Sequence, residues 1–170
     1  MVLNSASEPF PLSESHAYVG RHAFQDGLRA AVEAAAVQSL QEWWWVDADF
    51  HDWPLNERTI VDRLHAWART GRRLVVIGER FDHLLLNAPR FREWRVQWDH
   101  RVDVRQCGKG VLAPDKQGIW SPKWCMVHAD AVRLRGRFSR TPEACSALKL
   151  AFDACYQQSR PAFPATVLGL

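Results

Sequence analysis

The sequence has no apolar run long enough to cross a bilayer, no C-x-x-C pair, no internal repeat and no low-complexity linker. Without the first, nothing here reads as a membrane-spanning helix. Without the second, the spacing that a zinc or thioredoxin-like site needs is missing. G-x-S-x-G, the P-loop and G-x-G-x-x-G are absent too, so no nucleophile elbow or nucleotide cradle is written in the chain. Net charge is only +3. That argues against a surface devoted wholly to nucleic acid, while leaving a local basic patch open. Residues 1–11 carry no basic group and no apolar core segment, so a secretory signal is not expected.

The 170 residues are 47% apolar and 24% charged, ordinary values for one globular domain with a real core. Cys107, Cys125, Cys145 and Cys155 read as reduced, buried thiols, and a cytoplasmic location follows as the expectation. Nine tryptophans are the oddity, three of them consecutive at Trp43, Trp44 and Trp45. Successive strand residues face opposite ways, so the triplet predicts a central strand covered on both sides. A stacking platform for bases or sugars is the competing reading.

Residues 1–15 read as a loose arm and 16–170 as a single α/β domain. Helical spacing of Phe24, Leu28, Ala31, Val32 and Ala35 predicts a helix over 21–40. A strand over 42–47 comes next, then an acidic and aromatic loop. Asn56 is expected to cap a helix carrying Ile60, Val61, Leu64 and Trp67, stopped by Gly71. Residues 73–77 are a strand, 81–98 a helix broken at Pro89, and 101–106 a strand. Alternation of this kind predicts a mixed, largely parallel sheet flanked by helices on both faces. Further on, strands at 124–127 and 132–138 with a short connection over 128–131 suggest a hairpin. Thr141-Pro142 opens a last helix with Ala147, Leu148, Ala151, Phe152 and Cys155 on its apolar face. The tail beyond Pro161 is expected to pack back on the domain.

Three constellations offer chemistry. Asp47, Asp49 and His51 stand just past a strand's carboxyl end, where open α/β sheets bind ligands. An Asp-x-Asp there could hold magnesium in a phosphatase or nuclease, or simply cap local backbone. Arg133, Arg135 and Arg137 alternate along a strand, a row suited to phosphates or to discouraging edge pairing. Arg90, Arg92, Arg95 and Arg101 form a third cluster, interleaved with Phe91, Trp94 and Trp98, which share a helical face and read as core rather than platform.

From Trp45 onward the chain resembles a phospholipase D-like domain, a single half similar to bacterial members that lack the full catalytic signature. Carrying this resemblance are 46–55, the helix with Val61 and Leu64, the strand 73–77, the segment 87–91 and the strand from Val102, followed by the hairpin. It implies H-x-K-x4-D before the final hairpin and helix, with a nucleophilic His, a phosphate-holding Lys and an Asp supporting the His. The matching stretch is Ser121 to His128. Only Lys123 keeps its identity; Ser121 replaces the His and His128 the Asp. No histidine in the chain has Lys two residues on. Gly136 stands near the family's later Gly-Ser, one residue out of register.

An unactivated serine is a weak nucleophile, so loss of hydrolase activity is expected. The resulting expectation is a non-catalytic binding or interaction module. Its ligand-binding candidates are Ser121, Lys123, His128, Asp47, Asp49 and His51, its anion-binding candidates Arg133, Arg135 and Arg137. No metal site or cofactor is called for. A phosphate-containing ligand, an unknown protein, a homodimer partner and nucleic acid stay open as partners.

Overall fold

A computed structural model describes residues 15–163. The expected arm over 1–15 therefore lies, apart from Ser15, outside the described residues, as does most of the tail beyond Pro161. Among the described residues no helix is long and apolar enough to cross a membrane.

Chain order is β1 (His16–Val19), α1 (Arg21–Val37), β2 (Glu42–Val46), α2 (Arg58–Ala68), β3 (Arg73–Gly78), α3 (Asp82–Asn87), α4 (Pro89–Gln97), β4 (Val102–Gln106), β5 (Gly118–Trp120), β6 (Cys125–Asp130), β7 (Arg135–Ser139), α5 (Pro142–Gln157) and β8 (Arg160–Pro161). The eight strands form one mixed sheet in the order β1-β7-β6-β5-β2-β3-β4-β8. Only β2, β3 and β4 pair in parallel; every other ladder is antiparallel. Parallel pairing is thus a smaller share than the helix–strand alternation suggests. The reason is local: a hairpin turn joins β5 to β6 and another joins β6 to β7, and such connections reverse the chain.

The tryptophan triplet forms the middle of the sheet. Trp43, Trp44 and Trp45 are all buried. Trp43 and Trp45 meet edge to face at 5.0 Å and pack with Trp67 of α2 and Phe91 of α4. Trp44 faces the other way, against Tyr156 of α5 at 5.5 Å. Each such ring removes on the order of 200 Å² from water, so this strand anchors both layers. One core contains Trp43, Trp45, Leu74 and Val76 with residues of α1, α2 and α4. The other contains Trp44, Val46, Val75 and Ile77 with Leu148 and Phe152 of α5. The four described cysteines are free and buried, and all four belong to the second core.

One strand had no expectation behind it, and two expectations need correction. Residues 16–19 form strand β1, paired antiparallel to β7, although nothing in four residues announced a strand. The hairpin turn falls at 131–134, not 128–131, because Asp130 Oδ1 accepts the amides of Val132 at 3.0 Å and Arg133 at 3.1 Å. This puts His128 inside β6 and Arg133 in the turn. Asn56 does not cap α2, whose N-cap is Glu57. Its Oδ1 instead accepts the Arg90 amide at 3.1 Å, in the first turn of α4, where Pro89 has no N–H to give.

That cross-capping is testable. Asn56→Ala should cost about 1 kcal/mol in urea denaturation. Amide exchange should quicken at Arg90 with the first turn of α2 unchanged; the reverse pattern would restore the local cap.

Candidate functional site

The stretch matching the family signature divides between two ends of the sheet. Trp120 pairs with Trp44, whereas Gly118 pairs with Val46. The turn holding Ser121 and Lys123 therefore lies at the amino end of β2, and the acidic loop at its carboxyl end. Ser121 is fully buried, and its hydroxyl is occupied. Oγ donates to the Trp124 carbonyl at 2.8 Å and accepts the amides of Trp124 at 3.0 Å and Lys123 at 3.3 Å. It closes a hairpin turn. Lys123 is exposed beside it. His128 lies three residues into β6, roughly 10 Å further along the strand. Ser121 and His128 are not brought together.

His128 is brought to Asp47 instead. Its ring is buried; Nδ1 lies 3.0 Å from the Tyr18 hydroxyl, and Nε2 lies 3.8 Å from Asp47 Oδ2. Tyr18 reaches it over Gly136, which pairs with both residues in the sheet. A Cβ on Gly136 would sit 2.1 Å from the Tyr18 hydroxyl, so the position is closed to any side chain. In the tautomer in which Tyr18 donates to Nδ1, the imidazole proton sits on Nε2, on the side of the Asp47 carboxylate. Burial pulls the His128 imidazole down to about 4. Burial also pushes the Asp47 carboxyl up, against the hydrogen bond from Trp53 and the Phe50 and Asp49 amides. Tyr18 is raised by burial, then by the Asp47 charge.

Asp47 is itself a structural group. Oδ1 accepts the amides of Phe50 at 2.8 Å and Asp49 at 3.1 Å, and Oδ2 accepts the Trp53 indole at 3.0 Å. These bonds hold Phe50, at φ 57°, in the left-handed region. Asp49 accepts the His51 amide at 3.0 Å and pairs with Arg80 at 3.2 Å. Among the described residues no three His, Cys, Asp or Glu side chains group to hold a metal ion.

Turned outward by this loop, His51 enters a cleft of about 450 Å³ at the carboxyl end of β2 and β3. Its ring centroid is 4.5 Å from that of His83 on α3. Arg21 from the start of α1 and Arg90 from α4 line the same cleft. Arg21 pairs with Asp52 at 3.3 Å and Arg90 donates to the Asn56 carbonyl at 3.0 Å, contacts that leave most guanidinium donors available. Sequence reasoning found His51. It met Arg90 only within an arginine cluster on its helix, and it missed Arg21 and His83, which lie 30 or more residues away and carry no motif. Arg135 and Arg137 are exposed on β7, while Arg133 pairs loosely with Asp130 at 3.9 Å.

No protein-family model matches the chain, and no curated protein matches it. Solved structures do. TrmBL2, an archaeal chromatin protein described as showing a novel mode of DNA binding, superposes with a TM-score of 0.66 at 10% identity. The match covers 92% of this chain and 57% of TrmBL2, so the chain spans little more than half of that protein. Nuc from Salmonella typhimurium, a phospholipase D family member, superposes with a TM-score of 0.58 at 10% identity over 89% of this chain and all of Nuc. The fold is phospholipase D-like.

The buried imidazole predicts an acid-sensitive fold. An unfolded chain protonates His128 near its ordinary 6.5, the folded chain only near 4. Its neutral form therefore supports the fold fully above 6.5, and that support is lost as pH falls from 6.5 to 4. Measured by urea denaturation, the wild type should lose about 3 kcal/mol more than His128→Gln across this window. Parallel curves for the two proteins would show that His128 does not titrate this way.

Proposed function

We propose that this chain is a non-catalytic phospholipase D-like module that binds a phosphate-containing ligand in the cleft of Arg21, His51, His83 and Arg90. One observation carries the reading: two guanidinium groups and two imidazoles from four separate elements converge on one cleft at the carboxyl edge of parallel strands. Guanidinium forks and imidazole N–H groups match phosphate oxygens. The serine at the family's nucleophile position is committed to its turn, which supports binding without turnover. Nothing in the acidic loop favours the magnesium-dependent phosphatase, since Asp47 already accepts three donors.

Phenyl phosphate titrated calorimetrically into the full chain should bind saturably. Arg90→Gln and His51→Ala should each weaken binding about tenfold, the loss of one charge-assisted contact. Lys123→Ala should change nothing, and bis(4-nitrophenyl) phosphate should not be hydrolysed. Turnover, or binding that depends on Lys123 alone, would overturn the proposal.

A second reading, nucleic-acid binding, rests on Arg135 and Arg137, exposed on β7 with Arg133 beside them in the turn. The DNA-binding mode described for TrmBL2 supports it by fold analogy alone. Duplex DNA affinity should then fall steeply with salt and drop in Arg135→Gln/Arg137→Gln; a flat salt response would exclude it.

A further inference from the structure

Among the described residues, helix α5 is the one helix on its side of the sheet, and its small residues leave space beside it. Ala147 and Ala151 belong to the stripe that the sequence assigns to the core, yet Ala147 is exposed and Ala151 half-buried. Where α5 meets the sheet, the described residues outline an open-sided cavity of about 530 Å³. Its apolar wall is Ala144, Ala147, Leu148 and Ala151 of α5 with Val127 of β6. That volume and that lining are typical of pockets for small molecules with an apolar body.

One end of the cavity is charged. Arg137 of β7 and Lys116 of the preceding loop line it, with Asp115 the one acid among the lining residues. Neither cation forms an ion pair with a described carboxylate. Ser139 and Thr141 are also on the wall, but their hydroxyls lie 3.1 Å apart and serve the cap of α5. The polar end thus keeps one net positive charge and a guanidinium whose donors are not taken by a carboxylate.

We propose that this cavity binds a medium-chain carboxylate. The chain lies along Ala147, Leu148 and Ala151, and the carboxylate meets Arg137 with Lys116 alongside. The alanine methyls leave the width an acyl chain needs, and the guanidinium fork suits a carboxylate. The site is separate from the cleft of His51 and His83, on the opposite side of the sheet from α1 and α2.

The test is a titration of the full chain with hexanoate, octanoate and decanoate, with decan-1-ol as the uncharged control. Each added methylene should tighten binding about fourfold until the cavity is full. Decanoate should bind about tenfold more tightly than decan-1-ol, and Arg137→Gln should erase that preference while leaving the alcohol's affinity. Ala147→Trp, which fills the cavity from an exposed helix position, should abolish both; Ala151→Met is the milder variant should the first not fold. Affinity independent of chain length, or undiminished in a folded cavity-filling variant, would overturn the proposal. So would equal binding of acid and alcohol.

Discussion

The carboxylate of Asp47 is the interaction on which the arrangement of this end of the molecule depends. It stands where the buried strand β2 ends, and its oxygens draw back the amides of Asp49 and Phe50 and the indole of Trp53. Those bonds turn the chain sharply. Phe50 and Trp53 go into the core, and His51 is left facing out. Asp47 Oδ2 also faces His128 at 3.8 Å, and the other nitrogen of that ring bonds Tyr18, which links β1 to β6 across β7. Gln117 adds a further tie: its side chain accepts the Ala48 amide and its carbonyl accepts the His128 amide. A carboxylate used this way is costly to bury, and the three donors offset that cost.

The same inward bonding recurs in the stretch from Ser121 to His128. Two of the polar groups in that stretch are bonded inward. Ser121 closes a turn, His128 belongs to a buried array, and Lys123 is exposed beside a turn it does not organise. Meanwhile the cationic and imidazole groups with open donors collect elsewhere, in the cleft beside the acidic loop and near the cavity under α5.

Much of the scaffold was legible in the sequence because its signals are local. The tryptophan triplet is periodic with nothing but a two-sided strand, Pro89 breaks its helix, and Thr141 caps the next. What was not legible depends on partners far along the chain. Strand β1 is four residues whose pairing partner begins at Arg135. Asn56 has the right chemistry for a cap, but the helix it serves starts 33 residues later, at Pro89. His128 looked like a loop residue because the Asp130 turn was read three residues early. In the cleft, His51 was visible from its acidic neighbours, but no spacing rule links it to Arg21, His83 and Arg90. The signal for those three exists only once α1, α3 and α4 are placed around the loop.

The central proposal is that the cleft, and not the Ser121–Lys123 turn, recognises anions. Anomalous diffraction from crystals soaked in tungstate, a phosphate mimic, tests it most directly. The account predicts a tungsten peak between the imidazoles of His51 and His83 and the Arg90 guanidinium, with none at Lys123. A peak at the Ser121–Lys123 turn with an empty cleft would contradict it.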